Sequence, residues 1–203
     1  MTLDVERQMN ITPADWVPGP GQGNWTYNLY AALPEDGKRY EVVDGVLYMS
    51  PSPSYAHQDA IFWLSSYLGP RIRMAGLGRV CLAPLDVELA PDTVVQPDVM
   101  VVLNARLDRI TPARIKGAPD LVIEVLSPAT ENYDRNEKRA AYARAGVTEY
   151  WLTDPVARTI EVLFLEGKTY HSLGIFAGQD ALLSKVVPTI AEVRVEQFFA
   201  EYV

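Results

Sequence analysis

The sequence predicts an α/β fold with a central mixed sheet and flanking helices. Three observations carry that prediction. Short runs dense in Val, Ile and Leu recur, bounded by proline, glycine or aspartate. Two stretches of helical spacing, 55–74 and 134–145, are set between those runs. The 203 residues and 48% hydrophobic content suit one domain with a sizeable core. One domain over 1–203 is therefore expected, with 1–25 as an N-terminal extension and 26–203 as its core.

Taken in order, 26–33 reads as a short helix, and 38–49 as a hairpin turning at Asp44-Gly45, a strong two-residue turn signal. Residues 55–74 form a helix with a stop near Gly76. Residues 79–89, 94–103 and 120–126 read as strands; 94–103 is a nearly continuous apolar run of the kind found in strands covered on both faces. Residues 134–145 form a helix ended by Gly146. Strands resume at 149–153 and 159–165, and 168–173 pairs back across Glu166-Gly167.

Composition narrows the functional classes. Cys81 is the lone cysteine, which excludes an intrachain disulfide and a multi-cysteine zinc site and leaves packing as its role. The opening MTLDVERQMN has neither a basic leader nor an apolar core, and no apolar run approaches membrane-spanning length. A soluble cytoplasmic protein with no membrane partner is expected. The net charge of −8 opposes nucleic-acid binding, since phosphate attraction drives non-specific affinity. The charge is uneven, however: residues 71–144 hold 11 Lys or Arg against 10 Asp or Glu, and the remainder holds 7 against 16. Within that central segment Arg106, Arg109, Arg114 and Lys116 are the candidate phosphate contacts, with a solvated surface as the alternative for each.

Chemistry concentrates between 94 and 142. Glu124 is a lone carboxylate inside an apolar strand, and stripping water from an unpaired carboxylate costs several kcal/mol or forces its neutralisation. Asp120 shares its face, but at a rise of about 3.3 Å per residue it stands about 13 Å away, too far to share a small cation. Asp98 is the better partner. It is the only carboxylate of 94–103, and on a neighbouring strand it would approach Glu124 across the ladder. Two hard oxygen ligands suit Mg²⁺ or Mn²⁺ rather than zinc. Lys138 lies near the middle of the helix face that carries Asp134, Ala141, Tyr142 and Ala145, so it should look towards the sheet, where it would position water and balance phosphate charge.

These residues carry a resemblance. Pro97-Asp98, the strand of Glu124 followed by Ser127-Pro128, then Asp134, Lys138, Tyr142 and the run from Gly146 to Trp151, resemble the restriction endonuclease family of the Uma-two type, within the PD-(D/E)xK nuclease superfamily. Upstream, the run from Leu33 to Glu41, Asp44-Gly45, Ser50-Pro51, His57-Gln58 and the run from Ala83 to Val87 also match, so the likeness covers most of 34–160. The resemblance implies a restriction-endonuclease-like core and metal-dependent hydrolysis of DNA. In the superfamily signature a lysine stands two residues after the glutamate; here that position is Leu126, and the resemblance implies that Lys138 takes over from the helix and that Glu41 joins Asp98 and Glu124 as a metal ligand.

Plainer readings stand beside these. Asp98 is also what a strand entry after proline looks like, and Glu124 with Lys138 is also a buried ion pair. Glu41 alternates with apolar residues as a solvent-facing residue would, His57 suits a helix start, and Asp134 suits the helix dipole. Tyr142 and Trp151 read as core aromatics. The reading that follows is an Mg²⁺- or Mn²⁺-dependent endodeoxyribonuclease with DNA as substrate and a homo-oligomer as an admissible assembly. Its rival is a non-catalytic interaction or regulatory domain that keeps the nuclease-like fold.

Overall fold

Prolines divide two of the expected strands, and with them the expected single sheet becomes two. The structure, a computed structural model, describes residues 11–199, so residues 1–10 of the expected extension lie outside the described residues. The first hairpin joins β1 (Arg39–Val43) to β2 (Val46–Ser50) through Asp44 and Gly45, at φ 52° and 73°. Both turn residues are left-handed, as the tight hairpin turn requires. An added Cβ at Gly45 would also lie 2.5 Å from the Gly23 carbonyl oxygen, so glycine is needed twice over.

Residues 79–89 separate into β3 (Gly78–Leu82) and β4 (Val87–Ala90) around Ala83-Pro84. Residues 94–103 separate into β5 (Thr93–Val95) and β6 (Val99–Leu103) around Pro97. Proline has no N–H to give a ladder, so each chain is released from one sheet there and enters the other. The two breaks travel together, because β3 pairs with β6 and β4 with β5, both antiparallel. The remaining strands are β7 (Ile115–Lys116), β8 (Leu121–Val125), β9 (Glu149–Asp154), β10 (Thr159–Glu166) and β11 (Thr169–Ala177). The smaller sheet runs β2-β1-β5-β4-β7 and the larger β11-β10-β9-β8-β6-β3. Each is mixed, through the parallel pairs β4–β7 and β8–β9.

The helices are few. A short α1 (Tyr27–Tyr30) precedes the first hairpin. In α2 (Tyr55–Gly69), extended by a π turn at Pro70–Met74, Ala60, Leu64, Leu68 and Ile72 recur every four residues and pack on one face of the larger sheet, against Val99, Val101, Leu121 and Ile123. The C-terminal residues Leu182, Val187, Ile190, Val195 and Phe198 complete that layer. The opposite face, with Met100, Val102, Val122, Tyr150 and Leu152, is covered by Tyr133, Ala141 and Tyr142 and by Val43, Val87, Val95 and Ile115 of the smaller sheet. These three come from α3 (Glu131–Tyr133) and α4 (Arg139–Ala145), which ends on Gly146 at φ 85°. Ala14 and Trp25 pack with Val42, Leu47 and Val94 in a third cluster. No helix among the described residues is long and apolar enough to cross a membrane.

Candidate active site

The register of β6 against β8 builds the site. Val99 is opposite Ile123, so Asp98, one residue outside β6, falls opposite Glu124. Directly opposed residues of an antiparallel pair face the same side. Asp98 is thus not within the strand, as expected, but at its entry after Pro97, where it is nevertheless buried, 6% exposed. Its Oδ2 accepts the Val125 N–H at 2.8 Å and lies 3.2 Å from Nε2 of His57, which α2 brings from across the cleft behind its Ser54 cap. Oδ1 accepts no hydrogen bond from a described residue.

Glu124 is 3% exposed and faces the same cleft. Its Oε1 accepts from Lys138 Nζ at 3.0 Å and from the Tyr142 hydroxyl at 2.5 Å, while Oε2 accepts from no described residue. The lysine comes from the helix, but the expected continuous α-helix over 134–145 opens as a π turn, Asp134–Lys138. The wider turn keeps residues four apart on one face, so Asp134, Lys138 and Tyr142 all look inward. Lys138 Nζ lies 3.0 Å from Glu41 Oε1 as well, and 3.6 Å from Asp134 Oδ1. One buried ammonium therefore bridges carboxylates from β1, β8 and its own helix.

Burial and crowding set the electrostatics. Burial pushes the Glu124 carboxyl well above the usual range, and Asp134, Asp98 and Glu41 push the same way, opposed by Lys138. Burial likewise raises Asp134, to about 7, with Lys138 opposing and Glu41 and Asp98 adding. Burial alone would lower Lys138, but Glu124, Glu41 and Asp134 outweigh it and hold the ammonium charged. The Tyr142 hydroxyl is raised by burial and then by Glu124, so it stays a hydrogen-bond donor.

The cleft has a volume of about 400 Å³. Its lining includes Asp98, Glu124, Glu41, Asp134, Lys138 and His57, between the loops Ser50–Ser54 and Ser127–Thr130. Among the described residues no group of three or more His, Cys, Asp or Glu is placed to hold a metal ion, so Glu41, Asp98 and Glu124 do not form a closed three-carboxylate cage. What Asp98 and Glu124 offer is one uncommitted oxygen each. That donor set suits a hard cation of the Mg²⁺ type, which keeps several waters and takes one or two carboxylates plus substrate phosphate.

The basic loop is not brought to the cleft. Arg106 is spent on Asp120 at 3.2 Å and the Pro119 carbonyl, and Arg109 donates to the Ala118 carbonyl. Arg114 pairs with Glu88 at 2.6 Å and stacks over Tyr27. Lys116 is exposed on β7, away from the cleft lining. Conversely, Arg39 and Gln96 line the cleft without having been singled out, although the two-residue period of β1 places Arg39 on the face of Glu41.

A mixed two-sheet core with an aspartate at a strand entry, a glutamate on the next strand and a helical lysine at one cleft defines a nuclease-like α/β fold. The chain belongs to the Uma2 family, described as "Putative restriction endonuclease", whose profile matches residues 27–196. A crystal structure of "a putative nuclease belonging to DUF820" from Anabaena variabilis is similar in fold, with a TM-score of 0.70 and 23% identity over 86% of this chain and 97% of that one. No curated protein matches.

Proposed function

We propose that the protein is a metal-dependent endonuclease that hydrolyses DNA phosphodiester bonds. The observation that supports this best is the pair of opposed carboxylates, Asp98 and Glu124, each with one oxygen committed to the protein and one uncommitted, at a cleft that also holds a charged lysine. Asp98 Oδ1 and Glu124 Oε2 would hold Mg²⁺ or Mn²⁺, with Glu41 supporting from β1. When bound, the ion would acidify a water and offset charge on the phosphate.

The protein's own groups have separable tasks. The Val125 N–H and His57 fix the Asp98 carboxylate, and Tyr142 fixes Glu124. Lys138 stays cationic and would balance the negative charge that develops on the phosphoryl oxygens. Hydrolysis adds water across one P–O bond: the water oxygen bonds to phosphorus, the ester bond breaks, and the leaving oxygen takes up a proton. The products are one terminal phosphate and one hydroxyl.

A second reading has its own observation. Lys138 is already compensated by Glu41, Glu124 and Asp134, so the cluster would serve equally as the buried ion network of a binding domain. Plasmid cleavage with Mg²⁺ or Mn²⁺, abolished by chelator and by Asp98→Asn, supports the nuclease. A protein that cuts neither DNA nor RNA under those conditions is the binding domain.

A further inference from the structure

Arg39 and Glu41 stand two residues apart on β1 and both line the cleft. Their electrostatic situations differ. Lys138, the other strong cation of the lining, is committed to three carboxylates. Half-buried Arg39 has no carboxylate at ion-pair distance among the described residues; its partners are both on Gln96, the side-chain Oε1 at 3.1 Å from Nε and the backbone carbonyl at 3.3 Å from Nη2. Nη1 and the second N–H of Nη2 have no hydrogen-bond partner among the described residues, and Arg39 lines the cleft. A guanidinium presents a planar fork that matches phosphate oxygens, and one held in a wall without its own anion is arranged to receive one.

The way Gln96 is held makes the placement deliberate. Its Nε2 donates to Asp86 Oδ1 at 2.9 Å and to the Tyr30 hydroxyl at 3.1 Å, while Tyr30 itself donates to the same carboxylate oxygen at 2.8 Å. A carboxylate only accepts, so the amide nitrogen must face Asp86 and the amide oxygen must face Arg39. The Gln96 backbone N–H, meanwhile, donates to Glu41 Oε1 at 2.7 Å. One residue in the crossing from β5 to β6 thereby fixes the unpaired arginine and the carboxylate beside Lys138, two positions before Asp98.

We propose that Arg39 is a phosphate-anchoring residue of the cleft, gripping a backbone phosphate of the nucleic-acid strand through its open Nη edge, with Gln96 as its positioning residue. That the anion belongs to a polynucleotide rests on the nuclease reading above. The basic loop 106–116 does not fill this role, because Arg106, Arg109 and Arg114 are turned onto their own protein.

The test is binding rather than turnover. Fluorescence anisotropy of a labelled oligonucleotide, single-stranded and duplex, is followed across a salt series in EDTA for the parent, Arg39→Ala, Arg39→Lys, Gln96→Leu and, as a control at an exposed lysine outside the cleft lining, Lys168→Ala. Circular dichroism melts establish that each variant is folded. Arg39→Ala should weaken binding about 10- to 100-fold, the loss of a charge-assisted contact. It should also reduce the log–log salt slope by about 0.7 to 0.9, the signature of one phosphate contact. Arg39→Lys should keep the slope and lose part of the affinity, because the charge remains and the fork does not; Gln96→Leu should do the same, because the charge remains and the aim does not. An Arg39→Ala protein that binds with the parent's affinity and slope overturns the proposal, as does a parent that binds no oligonucleotide. A parent that binds through Arg39 but cuts nothing with Mg²⁺ or Mn²⁺ sustains the anchor and sinks the hydrolysis; one that cuts while Arg39→Ala binds unchanged does the reverse.

Discussion

Glu124 and Glu149 stand on neighbouring parallel strands of one sheet, 3% and 0% exposed, and they solve the burial of a carboxylate in opposite ways. Glu149 pairs with Leu121 in the register and faces the α2 side. Its Oε1 accepts from the Trp151 indole and the Ser184 hydroxyl, both at 2.6 Å, and its Oε2 from the backbone N–H groups of Lys185 and Val186 at 2.7 and 3.2 Å. Four neutral donors use both oxygens, and nothing is left to face a cleft. Glu124, on the other face, has one oxygen tied to Lys138 and Tyr142, one uncommitted, and three other carboxylates acting on it. A buried carboxylate is thus no mark of a site by itself. An unspent oxygen, a cation shared among several acids and an opening to solvent are what separate the chemical region from the latch that holds residues 184–186 against β9.

The largest effects should fall on the Glu124 side. Glu124→Gln and Asp98→Asn are expected to lower plasmid cleavage by at least about 10²–10³-fold, the scale of one preorganised electrostatic contact, and also to lose the rise in melting temperature that Mg²⁺ or Mn²⁺ gives the parent. Lys138→Met should lose a similar factor in cleavage and keep divalent-ion binding by calorimetry, because the carboxylates hold the ion while the lysine acts on phosphate. Cleavage by Lys138→Met at the parent's rate would show that the lysine is only the counter-ion of the cluster.

How much of this comparison was legible beforehand depends on the sequence distance of the partners. The inward face of Lys138 and the turn at Asp44-Gly45 follow from local signals within single segments, whereas the opposition of Asp98 and Glu124 could be read only on the condition that their two strands are neighbours. The division into two sheets does not, because Pro84 and Pro97 are each one residue in an otherwise strand-like run, and which sheet a released strand joins is a long-range choice. The π turn is invisible to a 3.6-residue period. Glu149 carries the same signal as Glu124, a charge in a buried strand, but three of its four donors lie 35 to 37 residues downstream. Gln96 and Arg39 are 57 residues apart, so neither announces the other. The partners of the basic loop are equally hidden in the sequence: four cations close together suggested a surface for phosphate, and Arg106, Arg109 and Arg114 make contacts with Asp120, the Ala118 carbonyl and Glu88.

The latch should break without touching the chemistry. Glu149→Ala strands the Trp151 indole, the Ser184 hydroxyl and two backbone N–H groups in a buried place, at an expected total cost of about 3 kcal/mol after partial relaxation. For a chain of this size that corresponds to a fall of about 6–12 °C in melting temperature. Cleavage per folded molecule, measured well below the transition, should match the parent. A Glu149→Ala protein that melts with the parent but cuts poorly would erase the division between the two carboxylates and place both faces of the sheet in the mechanism.

The smallest effect sharpens the comparison through protons. Burial raises the folded-state Asp134 carboxyl from 3.8 to about 7, so between those values the unfolded chain has released this proton while the folded protein keeps it. The folded state then binds more protons, and stability must fall as pH rises, by up to about 1.4 kcal/mol per pH unit for one group wholly out of step. The contribution is complete below the unfolded value and is lost once pH has passed the folded one. Urea unfolding of metal-free protein should therefore give a lower midpoint at about pH 7 than at about pH 5, and Asp134→Asn should flatten that dependence without abolishing it, because Glu124 is displaced in the same direction. If instead Asp134→Asn and the parent lose stability in parallel over this range, Asp134 is ionised in the folded protein and Lys138 neutralises it more completely than its 3.6 Å separation implies.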